Sequence, residues 1–134
     1  LYLRPNYKML LSGLIRLIHP RGLCFISHRP AAYYAAEAIQ HQDWKAIRLV
    51  ATDSEGIFRG SYFNWQPRQG LEQIYQDLDV EVLAITPIGF ISWLTANPAE
   101  LDDGGQDALF KMELACQESH PDTGRYLLVS GRKR

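Results

Sequence analysis

A helix, a break and a short strand follow one another near the start of the chain, and this succession most constrains the fold. Apolar residues recur with helical spacing over residues 7–18, with polar residues four apart on the opposite side. Pro20 and Gly22 then predict the end of that helix. Residues 23–26 are continuously apolar, a pattern typical of a strand that is covered on both faces. A helix that leads through a tight turn into such a strand predicts α/β layering.

The rest of the chain continues this alternation. The pattern predicts helices over residues 31–41, 67–78 and 106–119, strands over residues 47–51, 57–63, 80–85 and 126–129, a helical turn at 90–94 and a loop at 97–105. The two β-prone runs at 47–51 and 57–63 flank a turn cluster, so they form either a hairpin or an irregular excursion. Residues 132–134 are basic and are interpreted as a solvated tail.

Composition excludes several classes of protein. At 134 residues the chain is long enough for one domain with a hydrophobic core, and its net charge of −1 argues against nucleic-acid binding and membrane-surface binding. No apolar run approaches the ~20 residues of a membrane helix, and the first residues do not resemble a signal peptide. Cys24 and Cys116 lack further ligands at metal spacing, which predicts no metal site. With no secretory signal, we expect reduced thiols and a cytoplasmic location.

Three stretches resemble, in order, the carboxyl-terminal half of a class I S-adenosylmethionine-dependent methyltransferase. "LIRLIHPRGLCFIS" is similar to that family's helix and fifth strand, and "LEQIYQDLDVEVLAITPIG" to the helix and sixth strand. "KMELACQESHPDTGRYLLVSGRKR" is similar to the closing helix and the seventh strand. Arg21 departs from the family's usual Gly-Gly pair, and Asp77-Leu78-Asp79 departs from its usual Ala-Gly turn.

The resemblance implies an α/β, Rossmann-like sheet with an antiparallel last strand, forming one partial domain over residues 1–134. Residues 30–66 then correspond to a stretch that varies with substrate in this family. A flavodoxin-like binding domain is a further alternative, and it requires a sheet without an antiparallel last strand.

The cofactor of this family is S-adenosylmethionine, which is held by a glycine-rich turn and a carboxylate near the first strands. Neither feature occurs here. Gly104-Gly105 lies in a predicted loop, where paired glycines mark a break between elements rather than a cofactor-binding turn. We therefore expect the cofactor-binding half to precede Leu1, with residues 1–3 ending the fourth strand. Without that half, an apolar edge would be exposed, and the chain would dimerise, swap segments or bind a second chain.

Two strand ends carry the candidate site residues. Asn6 and Tyr7 follow the presumed fourth strand, where related amino-methyltransferases carry Asn/Asp-Pro-Pro-Tyr; "RPNY" is a distorted form of it, and Asn6 is alternatively a helix N-cap. Ser27, His28 and Arg29 follow the fifth strand, where ligands gather in open α/β sheets. His28 is the candidate general base, and Arg29 is a candidate to hold an acidic group of the substrate. The alternative is an ordinary polar turn.

Arg59 and Trp65 are further candidates for substrate binding, in an aromatic-rich and amide-containing stretch that suits a planar or apolar substrate. The same aromatic residues are equally compatible with packing. Glu113 is predicted to pair with a nearby basic group. The sequence thus favours methyl transfer to an unidentified nucleophile, with His28 as the candidate catalytic residue. The alternative is a non-catalytic, methyltransferase-like binding or assembly module.

Overall fold

The computed structural model describes residues 1–92 and 100–134 and shows a mixed α/β protein. The predicted turn at 90–94 and the predicted loop at 97–105 lie partly outside the described residues. The elements are α1 (Tyr7–Leu17), β1 (Leu23–His28), α2 (Ala31–Gln40), α3 (Trp44–Thr52), β2 (Glu55–Phe58), β3 (Ser61–Asn64), α4 (Arg68–Asp77), β4 (Val80–Ile88), α5 (Asp103–Ser119) and β5 (Tyr126–Lys133).

Within the described residues, the main sheet has three strands in the order β1-β5-β4. The last strand, β5, is antiparallel to both of its neighbours, so β1 and β4 run in the same direction on either side of it. Gly131 of β5 lies opposite Cys24 and Val82, and a Cβ there would lie 2.6 Å from Cγ1 of Val80. A side chain at that position would therefore disrupt the sheet. The antiparallel last strand excludes the flavodoxin-like alternative.

One face of this sheet carries the main hydrophobic core. Helices α1 and α4 supply apolar residues at helical spacing, which meet the inward-facing side chains of all three strands. The buried members of this core are Leu11, Ile15, Cys24, Leu71, Tyr75, Val80, Ile85, Leu127 and Val129.

The prediction that the first strand is covered on both faces is wrong. Exposure alternates along β1, and the outward-facing Leu23 and Phe25 are 52% and 64% exposed. A short apolar run cannot distinguish a strand buried on both faces from one whose second face is open. Among the described residues, no strand pairs with the outer edge of β1, so the expected exposed apolar edge is present.

A second layer forms from residues 31–64. Helices α2 and α3 and the β2–β3 hairpin enclose their own aromatic-rich core, whose buried members are Tyr34, Ala38, Ala46, Val50, Phe58 and Trp65. The prediction of a strand at 47–51 is wrong, because this stretch belongs to α3. Asp43 caps that helix by accepting a hydrogen bond from the N–H of Ala46 at 3.0 Å. Both hairpin strands instead lie within residues 55–64.

Both termini differ from expectation. Residues 132–134 are not simply a solvated tail, because β5 continues to Lys133, whose Nζ donates to the carbonyl of Ile18 at 2.8 Å. Residues 1–3 form a turn rather than a strand, and the carbonyl of Tyr2 accepts a hydrogen bond from the N–H of Asn64. No helix within the described ranges is long and apolar enough to span a bilayer.

Candidate functional site

The carboxyl ends of β1 and β4 lie beside the start of β5, at one end of the three strands. His28 lies opposite Leu127, and Ile88 lies opposite Tyr126. The polar segment that follows β1 is therefore held beside the residues that lead into β5. The main candidate site predicted from the sequence lies at these strand ends.

His28 lies inside the protein at this edge. Its side chain is 3% exposed, and its Nε2 lies 2.9 Å from the hydroxyl oxygen of Tyr75 on α4. Burial lowers the pKa of His28 from an ordinary value of 6.5 to about 4, so the imidazole is neutral at pH 7. Ser27 lies on the opposite, exposed face of β1. The structure therefore separates His28 from Ser27 and gives His28 no open path to a substrate.

Arg29 is enclosed by tyrosine rings. Its Cζ lies 3.9 Å from the ring centroid of Tyr33, 4.1 Å from that of Tyr126 and 5.1 Å from that of Tyr2. Its two terminal nitrogens donate to the carbonyl of Arg125 and the hydroxyl of Tyr126, both at 3.0 Å. The side chain is 6% exposed, and within the described ranges no carboxylate forms an ion pair with it. The aromatic faces stabilise this buried cation.

Asn6 and Tyr7 do not form a joint site. Asn6 is exposed at the N-cap position of α1, but its side chain makes no capping hydrogen bond. Tyr7 is 4% exposed, and its hydroxyl accepts a hydrogen bond from Nε2 of Gln66 at 2.8 Å. Burial raises the pKa of the Tyr7 phenol. The tyrosine thus connects α1 to the chain segment that precedes α4.

Trp65 and Arg59 have different environments. Trp65 is 2% exposed, and its indole N–H donates to the carbonyl of Asp53 at 2.7 Å, so its ring packs within the second layer. Arg59 is exposed at the tip of the β2–β3 hairpin, where its φ of 50° and that of Gly60 (78°) form the tight turn. Arg59 lines a pocket.

That pocket lies between α2 and the β2–β3 hairpin, and we call it the α2–hairpin pocket. Its volume is about 160 Å³. The lining residues are Tyr33, Tyr34, Glu37, Phe58, Arg59, Ser61 and Phe63. Sequence reasoning assigned residues 31–41 to a helix on propensity alone and so missed Tyr33, Tyr34 and Glu37 as pocket residues. Their spacing, with Glu37 four residues after Tyr33, was the available signal that they share a helix face.

A larger pocket of about 380 Å³ lies beside Arg68 at the start of α4. The Nε of Arg68 donates to Oδ1 of Asp122 at 2.8 Å, and its Nη2 donates to the carbonyls of Ile85 and Pro121. These bonds tie α4 to β4 and to the segment that precedes β5. The Nε and Nη2 donors of Arg68 are therefore already engaged within the protein.

Glu113 on α5 does not pair with a basic side chain as predicted. Its carboxylate accepts hydrogen bonds from the backbone N–H groups of Phe90, Ile91 and Ser92, the segment that follows β4. Burial alone would raise the pKa of this carboxyl, but the N–H donors outweigh burial, so the pKa is lowered. Glu113 thus anchors the chain at the carboxyl end of β4.

No group of three or more potential metal ligands occurs among residues 1–92 and 100–134. Cys24 is a buried free thiol, and burial raises its pKa, while Cys116 is also free. No protein-family model matches the sequence, and no curated protein matches it either.

Proposed function

We propose that this chain is the carboxyl-terminal, substrate-facing part of a class I methyltransferase domain. The complete domain would transfer a methyl group from S-adenosylmethionine to a small-molecule or macromolecular nucleophile. The observation that supports this proposal most directly is the sheet, in which the antiparallel last strand lies between two strands of common direction. An antiparallel last strand is what the sequence resemblance implies.

The succession of elements also agrees with the three similar stretches. A helix precedes each strand of the main sheet, with α1 before β1, α4 before β4 and α5 before β5. The second layer, formed by α2, α3 and the hairpin, is inserted between the first and second of these pairs. That position corresponds to the stretch that varies with substrate in the resembled family.

The described residues do not fit a site for S-adenosylmethionine. The strand β1 ends at His28 and is followed by Arg29 and Pro30, all of which are buried, rather than by a glycine-rich turn. The backbone N–H groups of residues 90–92, which follow β4, donate to the carboxylate of Glu113. We therefore propose that another polypeptide segment holds the cofactor, and we derive no transfer step from this chain.

We propose that this segment docks at the open edge of β1. Phe25 is 64% exposed on the face of β1 that points away from the main core, and Met9 and Leu17 are 65% and 85% exposed on α1. A strand edge beside exposed apolar side chains favours pairing with further strands. The occupant would be the amino-terminal half of the same domain, or a second chain that supplies it.

A non-catalytic binding or assembly role is the alternative, and one observation favours it. His28, the candidate base, is buried against Tyr75 and has a pKa of about 4, so it is a poor proton acceptor at neutral pH. Methyl transfer to a good nucleophile depends more on positioning than on a base, so the enzyme proposal does not require His28 to act.

Calorimetric titration with S-adenosylhomocysteine distinguishes the two roles. The titration is performed on this chain and on the polypeptide encoded by the complete reading frame that contains it. Methyl transfer predicts binding by the longer polypeptide and none by the 134-residue chain. Binding by the short chain would contradict the proposed location of the cofactor site. Absence of binding by the longer polypeptide would favour the assembly role.

A further inference from the structure

We propose that the α2–hairpin pocket binds a small, planar, uncharged aromatic molecule that carries a hydrogen-bond donor and a hydrogen-bond acceptor on its ring. Such binding does not depend on methyl transfer by the complete domain. The pocket lies within the second layer, which has its own core and its own helices.

The walls of the pocket are suited to an aromatic ring. Tyr33 and Tyr34 on α2 face Phe58 and Phe63 on the hairpin, with ring centroids of Tyr34 and Phe63 5.1 Å apart at 61°. Edge-to-face contacts of this type are favourable between aromatic groups and would extend to an aromatic ligand. The pocket volume of about 160 Å³ is close to that of a cavity known to accept benzene.

The polar groups of the pocket form a balanced pair. Nη1 of Arg59 lies 3.2 Å from Nε2 of His41, and Oε2 of Glu37 lies 3.9 Å from the same nitrogen. Arg59 offers N–H donors, and Glu37 offers an acceptor. Arg59 attracts an anion that Glu37 repels, and Glu37 attracts a cation that Arg59 repels, so the pair favours neither sign of charge. A neutral group with both a donor and an acceptor matches this pair best.

Three probes with one ring size test the proposal: benzamide, benzoate and benzylammonium. Binding to the 134-residue chain is followed at pH 7 by NMR chemical-shift titration. We expect benzamide to bind at least about threefold more tightly than either charged probe, a difference typical of one exposed charge pair. Equal binding of all three probes, or no binding of benzamide at tens of millimolar, would overturn the proposal.

Charge-removing variants provide the sharper test, because they predict gains that unfolding cannot produce. Glu37→Gln should improve benzoate binding by about threefold, and Arg59→Gln should improve benzylammonium binding by about the same factor. Glu72→Gln and Arg16→Gln remove the same charges from exposed positions on α4 and α1, outside the pocket, and should change neither preference. Equal effects of the controls would show that the preferences arise from net charge and would refute a site at this pocket.

A blocking variant locates the site. Ser61 is an exposed pocket residue at the start of β3, and Ser61→Trp places an indole in the pocket at a position where aromatic residues suit a strand. The variant should abolish binding of benzamide while the melting temperature stays near that of the wild type. Undiminished binding by a folded Ser61→Trp variant would overturn the proposal.

Discussion

Lowering the pH from 7 to 5 should destabilise this protein through His28. The folded protein holds the imidazole neutral, with a pKa lowered by burial from 6.5 to about 4. The unfolded chain therefore binds more protons than the folded one between these two values, and stability rises with pH across this window. The contribution of the neutral His28 to folding stability is complete above pH 6.5. It is lost progressively as the pH falls and does not decrease further below pH 4.

The magnitude follows from the difference between the two pKa values. Below pH 4 the full loss in the free energy of unfolding is about 3 kcal/mol, and at pH 5 about 2 kcal/mol of it has already occurred. This is a large part of the stability of a small domain. The other histidines of the chain, His19, His41 and His120, are exposed and provide no comparable burial.

Urea denaturation at pH 7 and pH 5, followed by tryptophan fluorescence, measures the change in the free energy of unfolding. The matched variant is His28→Gln, whose amide keeps a hydrogen-bonding partner for Tyr75 but does not titrate. We expect the wild type to lose about 2 kcal/mol between these pH values and the variant to lose much less. Equal losses, or a His28 pKa above 6 in an NMR titration of the wild-type imidazole, would refute the reasoning.

Four further substitutions test other contacts. Tyr34→Phe removes the unpaired hydroxyl and should leave stability unchanged or raise it by up to about 1 kcal/mol. Tyr75→Phe leaves His28 unpaired and should cost about 1–3 kcal/mol of stability. Thermal unfolding of the two variants compares these effects. Glu113→Gln should weaken the anchor after β4 by about 1–3 kcal/mol, seen as faster amide exchange at residues 90–92, and unchanged exchange there would contradict it. Phe25→Lys should change the stability of the 134-residue chain by only about 0.5 kcal/mol but reduce its self-association in sedimentation, and undiminished association would argue against the β1 edge.

The sequence predicted well those elements whose local pattern agrees with their packing. The helices α1, α2 and α4 lie within one or two residues of their predicted bounds. The helices α1 and α4 have a periodic apolar face, α2 has high helix propensity, and each has a proline at or near one end. The stretch that became α3 was predicted as a strand because Ile47 and Val50 favour strands. Its amphipathic spacing and the cap at Asp43 outweigh that propensity.

The candidate site was less predictable, because strand faces and ring contacts depend on tertiary packing. Even so, the alternation of side chains along a strand predicts which residues of β1 share a face. Cys24 and His28 are an even number of residues apart, so a strand with one buried face must place both on the same side, and Ser27 on the other. The α2–hairpin pocket had no such signal, since Tyr33 and Phe63 meet only after the hairpin folds back onto α2.

The polar tip of β1 therefore has a different role from the one that its sequence suggests. His28 and Arg29 face inward and are held by tyrosines, so they fix the edge of the sheet rather than present donors to a substrate. Tyr33 contacts Arg29 and also lines the α2–hairpin pocket, so one ring joins the sheet edge to that pocket. A ligand in the α2–hairpin pocket would thus lie one side chain away from Arg29, at the carboxyl end of β1. Phe25, where we propose that a further segment docks, does not line the pocket, so ligand binding and docking of that segment should be separable by mutation.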